Sequence, residues 1–119
     1  MIVPSDTPPQ LQRFPAEVQA AYQRFRASRD EAAVQVVVLA ALRDFLPREK
    51  QALRDRPLAA HERLTEDLGY DSLAVAELVF FFEDLFQVTI STREIQGVQT
   101  VGELRAFVAR KLAANGKPA

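Results

Sequence analysis

One segment constrains this chain of 119 residues more than any other: Leu68-Gly69-Tyr70-Asp71-Ser72-Leu73, followed by the apolar and acidic run from Ala74 to Phe86. Aspartate is a preferred N-cap residue, so Asp71 predicts a helix whose first residue is Ser72. The first turn of a helix has unpaired backbone N–H groups and the positive end of the helix dipole. A phosphate group esterified to the Ser72 hydroxyl would therefore be stabilised there.

The helix that follows Ser72 is amphipathic. At about 100° per residue, one broad apolar side is predicted to face a core; it holds Ala74, Val75, Leu78, Val79, Phe81, Phe82, Leu85 and Phe86, with Phe81 near its edge. The opposite side holds Ser72, Leu73, Ala76, Glu77, Phe80, Glu83 and Asp84. We expect Glu77 and Glu83 to be exposed. Carboxylates around a few apolar side chains form a surface on which a basic partner can dock.

Two capping boxes predict the helices that follow. Ser91 and Glu94 open a short helix around Arg93 to Gln96, and Thr100 and Glu103 open a last helix. In that last helix, apolar residues recur at helical spacing; they are Leu104, Phe107, Val108 and Leu112.

Two helices are also predicted before the motif. The first runs over Pro15 to Ala27, after a start, Met1 to Pro9, that is expected to be disordered. The second runs from about Glu31 to Leu46, with Ser28 and Glu31 as a capping box and Pro47 at its end. A short extra turn is predicted at Arg48 to Arg56.

Composition narrows the class. The chain has no strongly alternating segment, which favours an all-α fold, and it has no cysteine for a disulfide, a thiolate metal site or a cysteine nucleophile. The single histidine, His61, has no second imidazole with which to share a metal, so no metal site is predicted. Neither a signal peptide nor a membrane-spanning run is found, and we expect a cytoplasmic protein.

The net charge of −1 conceals an acidic centre. Between Glu62 and Glu94, eight acidic residues outnumber two basic ones, whereas the segments on either side carry more bases than acids. Because salt screens charges beyond about 10 Å, the local charge decides which partner is attracted. The Ser72 helix therefore keeps an acidic face.

These motifs, in this order, resemble the acyl carrier protein family. Asp71-Ser72-Leu73 matches the family's Asp-Ser-Leu motif, and the acidic segment Leu64 to Gly69 matches the loop before it. The segment Phe86 to Ile90 is similar to a short family turn, with Gln87 where glycine is usual. Thr100-Val101-Gly102-Glu103 is similar to the start of the family's last helix. The resemblance extends from about Leu64 to Leu112.

The resemblance implies an all-α, acyl-carrier-like four-helix bundle with an additional N-terminal helix. We expect an N-terminal extension over residues 1–29, a carrier domain over residues 30–114 and a disordered tail over residues 115–119. The extension would pack on the bundle or contact a partner, with packing favoured.

It further implies that a phosphopantetheinyl transferase attaches 4′-phosphopantetheine, taken from coenzyme A, to Ser72, with Asp71 and Leu73 beside it. The arm would carry acyl groups as thioesters to acyl-loading, elongating or acyl-transferring enzymes of fatty acid, polyketide or specialised lipid synthesis. The chain, expected to be a monomer, would catalyse nothing itself. The implied recognition face is Leu73, Ala76, Glu77, Phe80, Glu83 and Asp84. The implied acyl pocket is Val75, Leu78, Val79, Phe82, Phe86 and Ile90.

Some residues depart from the family pattern. Tyr70 stands where many carriers have a small residue, Ala74 stands where an acid is common, and Phe80 to Phe82 form an aromatic run. These departures favour a specialised carrier. Two alternatives stay open: an unmodified, carrier-like interaction scaffold, and a peptidyl carrier of nonribosomal peptide assembly. A nucleic-acid-binding domain is disfavoured, because the best-patterned helix displays acids instead of a basic stripe.

Overall fold

The computed structural model describes residues 8–115. It contains five α-helices: α1 (Ala16–Ser28), α2 (Glu31–Asp44), α3 (Ser72–Phe86), α4 (Thr92–Gln96) and α5 (Val101–Asn115). Two 3₁₀-helices, Pro9–Leu11 and Arg48–Asp55, precede α1 and follow α2. The predicted all-α fold is confirmed: α2 to α5 form the four-helix unit, and α1 is the additional helix.

The helix starts that were read from local caps agree with the structure. The Asp71 carboxylate accepts a hydrogen bond from the Ala74 N–H (2.8 Å), and Ser72 is the first residue of α3. Ser91 and Glu94 form a reciprocal capping box at α4. At α5 the Thr100 hydroxyl accepts from the Glu103 N–H, and the Glu103 carboxylate accepts from the Thr100 N–H. Each of these bonds lies within four residues of sequence.

Helix α2 begins at Glu31, as predicted, but its capping residue and its end differ from the prediction. Asp30, not Ser28, is the N-cap, and its side chain accepts from the Ala32 N–H. Ser28 is instead the last residue of α1, and its hydroxyl donates to the Arg24 carbonyl. Arg29 takes a left-handed conformation (φ 58°) between the two helices, which leaves the cap to the next residue. At the other end, α2 stops at Asp44, before Leu46, since a residue that precedes proline avoids the helical conformation.

The N-terminal extension packs against α2 through α1, and against α3 through aromatic rings. The Phe14 ring lies 5.8 Å from that of Phe81, and the Phe25 ring lies 5.5 Å from that of Phe86, centroid to centroid. The Arg13 guanidinium pairs with Asp44 at the end of α2 (2.5 Å). Phe81 is therefore buried under the extension, not at an edge, because Phe14, just before α1, covers a face that α3 would otherwise expose.

The long connection from α2 to α3 is held by two sets of hydrogen bonds. An isolated antiparallel bridge joins Arg63 to Thr100, at the start of α5. Glu62, a buried carboxylate, accepts hydrogen bonds from Arg56 and from the Ala59 N–H. These bonds fix the loop that leads into the Ser72 motif.

The predicted disorder of the termini falls mainly on residues 1–7 and 116–119, which lie outside the described residues. Within the described range, Pro9 begins a 3₁₀-helix and Asn115 ends α5, so both are ordered where the sequence suggested otherwise. No helix in residues 8–115 is long and apolar enough to cross a membrane.

Candidate functional site

Ser72 lies exposed at the first position of α3. The Asp71 carboxylate is occupied by the Ala74 N–H, and the Asp71 carbonyl accepts from the Val75 N–H (3.0 Å). The N–H groups of Ser72 and Leu73 lie in the first turn of α3, where the helix itself provides no backbone carbonyl to accept from them. A dianionic or monoanionic phosphate on the serine oxygen would lie beside these donors and beside the positive helix end.

The turn before the motif depends on Gly69, which has a φ of +79°. A Cβ atom at this position would lie 3.1 Å from the Lys50 side chain and 3.2 Å from that of Pro47. Both the conformation and the close approach favour glycine. This turn is followed by a buried Tyr70 and by an exposed Asp71 and Ser72.

A cleft of about 590 Å³ opens beside Ser72, between α3 and the segment that contains α4. Its aliphatic and aromatic lining comes from both walls: Val75, Ala76, Val79 and Phe80 of α3, and Ile90, Ile95 and Val98 beyond it. Hydroxyl and amide groups also line it, from Thr65, Ser91, Thr92 and Gln96. The exposed serine therefore adjoins an open groove that has an apolar part and a polar part.

The structure divides the six residues predicted as an acyl pocket. Val75, Val79 and Ile90 line the Ser72 cleft. Leu78, Phe82 and Phe86 do not: Leu78 and Phe82 are buried in the core, and the Phe86 ring stacks on that of Phe82 (6.2 Å). The helical period places the five of them that belong to α3 on one broad side, and only the packing of neighbouring elements separates the two groups.

Sequence reasoning missed Ile95 and Val98, which supply the far wall of the cleft. Ile95 lies in the short helix α4 and Val98 lies just after it; a spacing of three residues can place two apolar side chains on one side. That signal was present, but a five-residue helix offers too few positions to define a face.

The residues predicted as a recognition face lie along α3, beyond Ser72. Leu73 and Phe80 are 68% and 65% exposed, and they are the large hydrophobic residues most open to solvent in residues 8–115. Glu77 is exposed and Ala76 is half-buried. An isolated exposed apolar residue is ordinary, but two along one helix beside carboxylates form a continuous surface.

The other two acids of that face are engaged by neighbouring groups. Glu83 is half-buried, not exposed as expected, because its carboxylate accepts a hydrogen bond from the Ile90 N–H (2.7 Å). Asp84 is exposed, and its carboxylate accepts from the Gln10 side-chain amide (3.0 Å). The extension that begins before α1 thus reaches the far end of the recognition face.

Tyr70 connects the cleft to α2. It lines the cleft, its side chain is 1% exposed, and its hydroxyl donates to the Leu42 carbonyl (2.7 Å). Leu42 lies in the last turn of α2, where helix carbonyls have no partner further along the helix. Burial, and then the charge of Asp44, raise the pKa of the Tyr70 phenol above its ordinary value, so the hydroxyl remains a donor even in alkaline solution that would ionise an exposed tyrosine.

Helix α4 is held against α5 by one carboxylate with two roles. Glu94 completes the capping box with Ser91 and also pairs with Lys111 of α5 (2.8 Å). The hydrogen bond with Lys111, followed by that with the Ser91 backbone, lowers the pKa of Glu94. The charged carboxylate thus fixes the far wall of the cleft at neutral pH. In residues 8–115, no cluster of His, Cys, Asp or Glu side chains could hold a metal ion.

These residues fit a phosphopantetheine group. An accessible hydroxyl at a helix start can accept a phosphodiester, and the adjoining cleft offers apolar and hydrogen-bonding surface to an attached arm. Within residues 8–115, no carboxylate or imidazole forms a hydrogen bond with the Ser72 hydroxyl.

Comparisons with known proteins agree with this geometry. The sequence profile of the family described as "Phosphopantetheine attachment site" matches residues 37–108, from within α2 to within α5. An acyl carrier protein of Thermotoga maritima is 31% identical over 64 residues, which cover 54% of this chain and 79% of that protein. One of Caulobacter vibrioides is 36% identical over 76 residues, with 59% of this chain and 97% of the relative covered.

A third relative, an acyl carrier protein of Exiguobacterium sp., is 38% identical over 55 residues, covering 46% of this chain and 70% of its own length. The profile match leaves out α1 and the residues before it. The match nevertheless spans more than half of the chain, and it includes the whole of α3 and α4. The chain belongs to the acyl carrier protein family, whose members carry a phosphopantetheine attachment site.

Proposed function

We propose that Ser72 is the residue that carries 4′-phosphopantetheine and that the chain presents acyl groups as thioesters on this arm. The observation that carries the proposal is the exposed hydroxyl at the first position of a capped helix, next to an open cleft. When bound, the arm supplies the thiol that forms the thioester. Asp71 supports the site by capping α3, and Leu73 lies exposed beside the serine.

In this proposal the chain catalyses nothing itself. Esterification of Ser72 requires that its hydroxyl lose a proton to a base. The nearest carboxylate in sequence, Asp71, is directed to the Ala74 N–H that it caps, with no hydrogen bond to the Ser72 hydroxyl among the contacts of residues 8–115, and the only histidine, His61, is exposed in the loop before the motif. The base must therefore come from the phosphopantetheinyl transferase that delivers the arm from coenzyme A.

The partners we propose are this transferase and the enzymes that load, elongate or transfer acyl groups. They would dock on the recognition face, with Leu73 and Phe80 as apolar contacts and with Glu77, Glu83 and Asp84 as charges. Apolar side chains framed by one sign of charge combine contact area with steering of an oppositely charged partner. A basic patch on each partner is the complementary surface.

The proposed carrier acts as a monomer in the cytoplasm, in fatty acid, polyketide or specialised lipid synthesis. The departures at Tyr70, Ala74 and the Phe80–Phe82 run support a specialised role within that range. For the acyl group we propose the cleft wall of Val75, Val79 and Ile90, extended by Ile95 and Val98.

The test is modification of the purified full-length chain by a promiscuous phosphopantetheinyl transferase with coenzyme A, followed by intact mass. One arm should be added, and Ser72→Ala should abolish the mass gain while the circular dichroism spectrum is retained. Ser91→Ala is the matched control, because Ser91 lines the same cleft but caps α4, and this variant should still be modified.

Modification of Ser72→Ala would refute the assignment. If the unmutated chain accepted no arm, it would instead act as an unmodified interaction scaffold.

A further inference from the structure

The core behind the Ser72 cleft is closed. Phe82 is 1% exposed, and its ring lies 5.8 Å from that of Phe81 and 6.2 Å from that of Phe86. The extension adds Phe14 on one side of this cluster and Phe25 on the other. Protein interiors packed in this way leave no space that an alkyl chain could enter without displacing side chains.

Tyr70 lies at the buried end of the cleft. Its side chain lines the cleft, while its hydroxyl reaches the Leu42 carbonyl of α2. The ring therefore spans the distance from the cleft to the neighbouring helix. Its hydrogen bond satisfies a carbonyl at the end of α2, so moving the ring aside would leave both groups without a partner.

The outer part of the cleft is of a different nature. Its exposed rim carries the polar residues Thr65, Ser91, Thr92 and Gln96 and, on the α3 side, the ring of Phe80. A long alkyl chain that stayed in the cleft would have to continue past the aliphatic walls and then leave across this rim, over the exposed Phe80 ring, into water. The apolar part of the cleft is therefore open to solvent at its outer end, and Tyr70 is the buried residue at its inner end.

From this geometry we infer that Tyr70 closes the inner end of the Ser72 cleft and so selects short acyl groups, which stay in the cleft, over long chains that would have to enter the bundle. The inference rests on the proposed attachment at Ser72. It makes Tyr70 a specificity-determining residue for the cargo, in a role that is separate from attachment.

The experiment loads the full-length chain with butyryl, octanoyl or dodecanoyl pantetheine from the corresponding acyl-coenzyme A. Release of each thioester by hydroxylamine is then measured and compared with release from the free acyl-coenzyme A. In the unmutated chain, protection should stop increasing at a short chain length. Tyr70→Leu should slow release of the dodecanoyl group by at least about fourfold, the effect of sheltering one further methylene group.

Phe82→Leu is the matched control. It removes a ring from an equally buried position that does not line the cleft, so it should lower stability and leave the release profile unchanged. Tyr70→Phe keeps the ring and removes only the hydrogen bond, and it should also retain the unmutated profile. Equal slowing in Phe82→Leu, or no change in Tyr70→Leu, would overturn the inference.

A second measurement needs no variant, in case Tyr70→Leu does not fold. The terminal methyl group of a dodecanoyl chain is labelled with ¹³C on the unmutated protein, and a dissolved paramagnetic agent is added. We expect strong broadening of the methyl signal, since the chain end should remain in solvent. A protected methyl signal would overturn the inference.

The intact mass shows whether the arm is attached, and it therefore separates failure of the proposed function from failure of this inference. A chain that accepts no arm would overturn both the proposed function and this inference. A chain that is modified at Ser72 but shelters the end of a dodecanoyl group would overturn this inference alone.

Discussion

The carboxylate of Glu83, on α3, accepts a hydrogen bond from the backbone N–H of Ile90 over 2.7 Å. This bond closes the turn between α3 and α4, in which Gln87 takes a left-handed conformation (φ 57°) where a glycine would be unstrained. Because of this bond, Glu83 has a structural role. It also lies on the recognition face, where it can take part in docking. Glu77 lies six residues before Glu83 on α3, away from this turn, and it is exposed.

Charge reversal should therefore separate the two acids. Glu83→Lys removes the acceptor for a part-buried N–H and should lower the free energy of unfolding by about 1–3 kcal/mol. Glu77→Lys should change it by no more than about 0.5 kcal/mol, as is usual for exposed positions. Urea melts of the two variants measure the difference. Glu83→Gln keeps an acceptor oxygen and should recover most of the loss, whereas equal melts for both lysine variants would contradict the structural role.

Glu77→Lys should nevertheless slow modification by the transferase. The reversed charge weakens the attraction of a basic partner, and salt screens that attraction. The rate should fall most at low ionic strength, and its salt dependence should become weaker than that of the unmutated chain. Initial rates of arm transfer at several salt concentrations measure this. Indistinguishable rates at low salt would rule out docking through this face.

Phe80 and Phe82 test the register of α3. They are two residues apart, about 200° around the helix, and they are 65% and 1% exposed. Phe82→Ala should lower the free energy of unfolding by about 3–5 kcal/mol, because it leaves a cavity in the core. Phe80→Ala should cost less than about 1 kcal/mol but weaken the affinity of docking enzymes, as expected of an exposed apolar anchor. Denaturant melts and binding titrations of both variants decide this, and a larger stability loss at Phe80 would mean that the register is wrong.

Stability at acidic pH should depend on Glu62. Its hydrogen bond with Arg56 lowers the pKa of the carboxyl below the ordinary value, against the opposing effect of burial. The unfolded chain therefore binds this proton more readily than the folded chain. The stabilisation is fully present above the ordinary pKa of the carboxyl, and it is lost as the pH falls through the lowered value.

Glu62→Gln should accordingly reduce the free energy of unfolding at pH 7 by about 1–3 kcal/mol, the usual effect of losing a hydrogen bond to a charged group. The difference in unfolding free energy between this variant and the unmutated chain should shrink as the pH falls below the ordinary pKa of a carboxyl group. Melts from pH 7 to pH 3 test this. Glu66→Gln, at an exposed acid in the same loop, is the control and should show little difference at any pH; a constant deficit for Glu62→Gln would contradict the linkage.

The extension should contribute to the stability of the carrier domain. Removal of residues 1–29 uncovers Phe81 and Phe86, which contact Phe14 and Phe25 in the full chain. Burial of an aromatic ring contributes about 1.5–3 kcal/mol, so the shortened chain should unfold at clearly lower urea concentration and bind a hydrophobic dye. Phe25→Ala in the full chain should produce part of this loss, and Glu17→Ala, at an exposed position of α1, should not. Unchanged stability after the deletion would show that residues 30–114 fold independently of α1.

The sequence alone determined where the helices of the carrier unit begin. Asp71, Ser91 and Thr100 each bond to a backbone group three residues further on, so the information lies within one turn. The Ser72 motif and the two-sided pattern of α3 were readable for the same reason. The cap of α2 shows the limit of this reasoning, because Ser28 and Asp30 are both residue types that commonly cap a helix. The left-handed Arg29, which joins two packed helices, decided between them.

Only the tertiary structure decided which apolar side chains line a cleft and which fill the core. Val79 and Phe82 share a side of α3 by helical period, but α4 leaves an opening at Val79 whereas Phe81 and Phe86 enclose Phe82. Tyr70 likewise acquires its position from the Leu42 carbonyl, 28 residues earlier in the chain. Contacts of this kind depend on how separate helices pack, and a periodicity within one helix carries no information about its neighbours.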